Sequence, residues 1–210
     1  MTGTENFIAR LAELKEGHRS MLRRLAGRRL DANLLGFDLF TGLWWPLRQQ
    51  SPAAPRRGAS WLLAKLYCAV PVAHLGHDPP QRVSSLPWLL GRLEPHDDSK
   101  GPAFRRRFDA LLCSGFNALE PHLAWALRQI HAACKHGQLA GQGIDWALLL
   151  DDVSLWDRGY NRDDPRQRRR LDVHRQRGDC RALHHAPQDL WACEYFHATR
   201  YPFQGVSHVD

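Results

Sequence analysis

Along this chain apolar side chains recur at intervals of three and four and seldom at two, a spacing that predicts helices and few strands. In FIARLAEL, Phe7, Ile8, Leu11 and Leu14 share one side of a helical wheel up to Gly17, and Thr2 with Glu5 has capping-box spacing ahead of them. The next segment, HRSMLRRLAGRR, gathers Met21, Leu22 and Leu25 on one face and points Arg19 and Arg23 nearly the opposite way. Residues 32–45 read as a third, aromatic-rich helix stopped by Pro46, and SPAAPRRG as a loop. SWLLAKLYCAV then predicts an apolar helix ended by Pro71.

Residues 72–100 hold Pro79, Pro80, Pro87 and Pro95 and read as a long connection with one short helix near PWLLGRL. Beyond it, AFRRRFDALL places Phe104, Phe108, Leu111 and Leu112 within about 100° of one another on the wheel. Arg106 points away from that face, and Arg105 and Arg107 flank its two edges. NALEPHLAWALRQIHAACKHG turns Leu119, Leu123, Leu127, Ile130 and Cys134 inward and sets Arg128 and Lys135 on its outer face. GIDWALLLDDVSLWD is apolar nearly all round, which marks the most deeply buried helix, with Asp145 as its cap. QDLWACEYFHA supplies a short last helix.

This pattern predicts an all-α fold, a compact bundle of about seven to nine helices arranged as one core or two small helical lobes. Residues 1–156 are the main bundle, 157–188 a basic insert or loop, 189–198 a closing helix of the same domain and 199–210 a tail. The insert earns its separate place by composition: Asp157 to Arg181 holds nine Arg and five Asp with very few apolar residues.

Composition then narrows the function. The 210 residues carry a formal charge of +7, and arginine supplies nearly all of the excess. Such a balance favours polyanionic partners, nucleic acid before acidic lipid. The arginines project from helices whose other faces are apolar, without carboxylates on the same stripes, and arginine grips phosphate through forked hydrogen bonds. No helix-turn-helix, zinc finger or RNP motif is present, so the expected contact is to sugar–phosphate backbone, blind to base sequence and weakened by salt. The N-terminal residues lack a basic region followed by an apolar core, and no stretch approaches a membrane span, which together predict a cytoplasmic protein.

Enzymatic readings are thin. There is no Walker or Rossmann glycine loop, no GxSxG elbow and no HExxH helix. Asp151 and Asp152 are adjacent, so they diverge by about 100° on a helix and suit ion pairing better than joint catalysis; Asp97 and Asp98 in the proline-rich connection are weaker still. Cys180, His184, Cys193 and His197 form a CxxxH…CxxxH arrangement that could hold tetrahedral zinc, although twelve histidines make chance pairings common and the spacing fits no standard zinc module. The five cysteines include no CxxC pair, which predicts reduced, mostly buried thiols. No metal or cofactor is assigned.

Several segments, in order, resemble one family. FIARLAELKEGHRSMLRRLAG, SWLLAKLY, FRRRFDALL with LEPHLAWAL, GIDWALLLDDVSLWD and DLWACEYF are similar to the successive helices of CasB, the small subunit of the type I-E CRISPR Cascade surveillance complex. They span residues 6–196, most of the chain. The resemblance implies a non-enzymatic helical subunit of an antiviral ribonucleoprotein, present in two copies. Its partners would be the backbone and large subunits, a second copy of itself, the guide RNA–target DNA hybrid and the displaced single strand, whose R-loop it stabilises.

Carried onto matching positions, Arg23, Arg24, Arg107 and Arg128 lie in or beside family motifs, while Arg19, Arg105, Arg106 and Lys135 join them from the wheel alone. Trp146, Trp156, Trp191 and Phe108 match positions that belong to the core. The insert of about thirty residues, the tail and residues 72–100 depart from the family pattern and bear on docking surfaces more than on fold. Two other classes stand beside this reading: a helical assembly protein whose basic surface meets acidic protein neighbours, and a zinc-dependent nucleic-acid enzyme.

Overall fold

In the computed structural model the described residues are 2–30, 34–51, 54–76, 84–139, 143–158, 164 and 186–200. The basic insert and the tail therefore lie almost wholly outside them. The first helix, α1, runs Gly3–Ala12 behind a complete capping box: Thr2 Oγ1 accepts from the Glu5 N–H at 3.2 Å, and Glu5 Oε2 accepts from the Thr2 N–H at 2.6 Å. Phe7, Ile8 and Leu11 are buried as their spacing requires. Helix α2, Glu16–Arg24, buries Leu22 and ends in a turn that continues through Leu25 to Gly27, whose φ of +75° suits a residue without a β-carbon.

Helix α3 runs Leu34–Gln50 and so passes through Pro46 instead of stopping there. The proline forfeits one backbone bond, but Leu47 is 2% exposed in the core, and its burial holds the extra turn in place. Helix α4, Arg57–Ala69, begins earlier than its apolar run and takes in the Arg57–Gly58 pair read as loop. Helix α5, Leu86–Leu93, is short, yet Leu86 to Gly91 are all buried. It packs against the closing helix α9, Pro187–Ala198, more intimately than any other pair of elements. Gly91 makes this possible: a β-carbon there would overlap the Tyr195 carbonyl oxygen and the Ala198 methyl group.

Helices α6 (Lys100–Leu112) and α7 (Leu119–Lys135) pack together, joined by a 3₁₀ turn at Phe116–Ala118. Helix α8, Trp146–Leu155, is buried at every position, and Asp145 caps it by accepting from the Leu148 N–H at 2.9 Å. A single parallel bridge pairs His74 with Ile144 ahead of it. No strand occurs among the described residues, so the fold is all-α. One hydrophobic cluster runs continuously from Phe7 and Phe40 through Trp61, Phe108 and Trp146 to Trp191 and Tyr195. It thereby unites the first helix with the last, and the large aromatics expected in the core are there.

Candidate nucleic-acid interface

The seam between α6 and α7 sets the exposed cations in place. Phe108 and Leu111 anchor α6 inside, which turns Arg106 outward. Phe104, one turn earlier, meets Trp125 of α7 edge-on at 5.1 Å between ring centroids. Arg107 lies over the same indole with its guanidinium carbon 5.9 Å from the ring centroid. Because Leu123, Leu127 and Ile130 face the core, Trp125, Arg128, Ala132 and Lys135 share the outer side of α7. Arg106, Arg107, Arg128 and Lys135 are all exposed, and none makes an ion pair among the described residues.

The carboxylates of these two helices are few. The only one in α7, Glu120, is turned the other way and bonds Lys65 at 2.6 Å and the Gly27 N–H at 2.6 Å. The only one in α6 is the exposed Asp109. The outer side of α7 thus carries net positive charge that its own helix does not neutralise.

The other four sequence candidates are placed differently. Arg24 is exposed, with no described bond. Arg19 is half-buried and caps the end of α1, its Nε donating to the Leu14 carbonyl at 3.0 Å and its terminal nitrogen to that of Ala12. Arg23 Nε donates to the Cys68 carbonyl at the end of α4 at 3.0 Å, and its terminal nitrogen reaches Glu16 at 3.4 Å. Arg105 is paired with Glu94, a carboxylate only 7% exposed that also accepts the Tyr195 hydroxyl at 2.5 Å. The wheel shows which way these arginines leave their helices; it does not show which have neighbours that claim the guanidinium.

Three pKa shifts follow from this wiring. The hydrogen bond to Glu94, with its charge, raises the Arg105 guanidinium further above its ordinary value. Burial, reinforced by the bond to Glu94, pushes the Tyr195 phenol far above the ordinary tyrosine range. Burial also lifts the Cys68 thiol to about 11, against the lowering pull of nearby Arg19 and Arg23.

Where chemistry was weighed, the buried carboxylates have structural partners. Asp151 accepts from the Thr4 hydroxyl at 2.6 Å and Asp152 from the Trp191 indole N–H at 2.6 Å, so neutral donors tie α8 to α1 and α9. The ring of His197 lies 5.7 Å from that of Trp88. Cys68, Cys113 and Cys134 are outside any disulfide, as read from sequence, but only Cys68 of them is buried, and Cys193 is disulfide-bonded, two corrections to the expectation of reduced, mostly buried cysteines. In that state its sulfur has no thiolate to offer zinc. Cys180 and His184 lie outside the described residues, and no group of metal-ligating side chains occurs among the described ones. No described helix is long and apolar enough to cross a membrane.

Two features escaped the sequence reading. One is Trp125, which looked like an ordinary helix residue and becomes an aromatic among exposed cations. The other is a cleft of about 400 Å³ between the turn after α2 and the start of α4, lined by Arg28, Arg29, Arg57 and Lys65 with Trp61 and Phe116. Its signal in the sequence is two Arg-Arg pairs beside glycines, Gly27-Arg28-Arg29 at the end of a helical segment and Arg56-Arg57-Gly58 in a loop.

The fold has solved counterparts. It is similar to the crystal structure of CasB from M. ruber at a TM-score of 0.64 and 17% identity, covering 95% of each chain. It is also similar to that of CasB from Thermus thermophilus at a TM-score of 0.54 and 22% identity, covering 94% of this chain and 99% of the other. At those identities the likeness speaks for the fold. No curated protein matches the sequence. The sequence pattern of the CRISPR-associated protein Cse2 family matches residues 18–176, well over half the chain. With the all-α architecture and the ordered helices, that match settles the family: the chain belongs to the CRISPR-associated Cse2 (CasB) proteins.

Proposed function

We propose that this chain is the non-catalytic small subunit of a type I-E Cascade particle and steadies the R-loop by holding target and displaced DNA strands on the outer side of α6 and α7. Family membership supplies the assembly, since Cse2 proteins are Cascade subunits. The observation that carries the DNA contact is that Arg106, Arg107, Arg128 and Lys135 are exposed with no described carboxylate partner, Arg107 lying over the Trp125 ring. Arg24 belongs with them as an unengaged cation. Arg19, Arg23 and Arg105 support the surface by fixing helix ends and reach phosphate only with the part of the guanidinium their partners leave open.

The energetics fit the role. Replacing a DNA duplex by an RNA–DNA hybrid is nearly neutral in free energy, so a few backbone contacts of about 1 kcal/mol each decide the lifetime of the open state. A displaced strand of arbitrary sequence requires contacts that ignore its bases, which guanidinium groups on a rigid helix provide.

The test is an assembled guide-RNA particle containing either the wild-type chain or the variant R106Q/R107Q/R128Q/K135Q. Permanganate reactivity of displaced-strand thymines reports how long the R-loop persists. The variant is expected to assemble and to lose the open state severalfold faster. Equal lifetimes in a particle that has incorporated the variant would leave the basic surface to acidic protein neighbours and refute the DNA contact.

A further inference from the structure

The cleft beside α4 is assembled by bonds that serve no purpose in the core alone. Lys65 is 2% exposed at its base, donating to the Arg28 carbonyl at 2.9 Å and to Glu120 at 2.6 Å. The Trp61 indole N–H donates to the same carbonyl at 3.0 Å, and Glu120 accepts the Gly27 N–H at 2.6 Å. The turn is thus clamped from beneath by its backbone, and Arg28 is exposed above it.

Opposite that turn, α4 starts at Arg57 with no side chain capping its N-terminus and no acidic residue in its first turn. Arg57 is exposed, with its guanidinium carbon 5.3 Å from the Phe37 ring centroid. Among the described residues the cleft is lined by one carboxylate, Glu120, and it is already taken by Lys65 and Gly27. Arg28, Arg57 and an open helix end therefore flank a space whose one carboxylate among the described residues is spent. The rest of its lining is apolar at Leu30, Leu62 and Phe116, with Asn117 beside them.

We infer that this cleft binds one nucleotide unit of an unpaired nucleic-acid strand, its phosphate between Arg28 and Arg57 and its sugar or base against the Phe116 wall. The inference rests on the nucleic-acid reading proposed above and adds a second, separate contact to it. The volume of about 400 Å³ lies in the lower part of the range of small-ligand sites and suits one nucleotide rather than a helix or a folded segment. Forked donors fit phosphate and carboxylate alike; what favours a nucleotide is the apolar wall, which gives an attached base a surface that a bare anion or an acidic peptide does not use.

Backbone amide resonances of the ¹⁵N-labelled full chain, titrated with the oligonucleotide dT4, test this directly. The amides of Gly27, Arg57 and Gly58 are expected to shift in the wild type and in R106Q/R107Q/R128Q/K135Q. In R28Q/R57Q those shifts should need at least fivefold more dT4. N117E, which adds a carboxylate at the rim without removing an arginine, should weaken binding in the same way. Shifts confined to α6 and α7 would overturn the cleft and leave the outer surface standing. Shifts confined to the cleft would do the reverse, and no shifts at all would sink both. Inorganic phosphate or a hexaglutamate peptide that matched dT4 in affinity at these amides would also overturn the nucleotide assignment.

Discussion

The guanidinium of Arg107 lies over the indole of Trp125, with 5.9 Å between guanidinium carbon and ring centroid, while Phe104 supports the same ring from its edge. A cation that would otherwise sweep a wide arc is thereby held at one height above the α6–α7 seam. Holding it there lowers the ordering cost of meeting a phosphate, because part of the rotamer freedom is already lost in the free protein.

Replacing Arg107 by lysine separates charge from shape. R107K keeps the positive charge, so the salt dependence of single-strand binding should not change. The stacked plane and the forked donors are lost, at about 0.5–1 kcal/mol for an exposed site, so affinity should fall two- to fivefold. Fluorescence anisotropy with a labelled oligo-dT checks both; unchanged affinity would mean that Trp125 does not position this arginine for binding.

The Lys65–Glu120 pair underlies the cleft. Removing one member of a largely buried pair strands the other, so K65A should lose about 3–5 kcal/mol in urea unfolding. The double variant K65M/E120L replaces the pair with apolar groups and should recover most of that loss. A K65A cost below about 1 kcal/mol would show that water reaches the pair freely.

Tyr195 gives a signature at high pH. Its folded-state pKa is raised, so its contribution to stability is complete below the unfolded value near 10 and is lost as pH rises beyond it, when the unfolded chain ionises and the folded one does not. Tyr67, raised by burial, acts in the same direction. Wild type should be more stable than Y195F by about 1.5–3 kcal/mol at neutral pH, the worth of a hydrogen bond to a charged group. Unfolding curves of the two should converge above about pH 10, and a constant gap from pH 8 to 11 would contradict the bond to Glu94.

Asp97 gives the opposite signature in acid. Its carboxylate accepts from the Ser99 hydroxyl at 2.5 Å and from the backbone N–H groups of Ser99, at 2.7 Å, and Lys100, at 3.0 Å. These bonds, the hydroxyl first, depress it to about 2. The stability it confers is present above the ordinary value near 4 and lost as pH falls from there through about 2. Wild type should therefore exceed D97A in stability at pH 6, with the difference vanishing as pH falls through that window. A difference that persists below pH 2 would show that Asp97 acts through something other than its charge.

These details mark how far the sequence could be read. The inward set Phe7, Ile8, Leu11, Phe108, Leu111, Leu119, Leu123, Leu127 and Ile130 was legible because helical spacing alone decides it. The passage of α3 through Pro46 was not, since a buried Leu47 outweighs a local breaker. Nor was the depth of α5, which sits in a proline-bearing stretch that suggested a surface connection but whose glycine admits α9. Among the cations, exposure of Arg106, Arg128 and Lys135 follows from the wheel. The capture of Arg105 by Glu94, eleven positions away across an irregular segment, depends on a loop path that periodicity cannot encode. The cleft draws on residues 27 to 120, and only the fold brings them together.

The account stands or falls on the salt dependence of single-strand binding. For the wild-type chain and R106Q/R107Q/R128Q/K135Q, the association constant for a labelled oligo-dT should be measured across a range of salt concentrations. Wild type should show a steep linear fall of log K with log salt, and the variant a slope shallower by about 0.7 for each phosphate contact removed, or about 3 in all. A variant with the slope and affinity of wild type would contradict the claim that these four side chains carry the DNA.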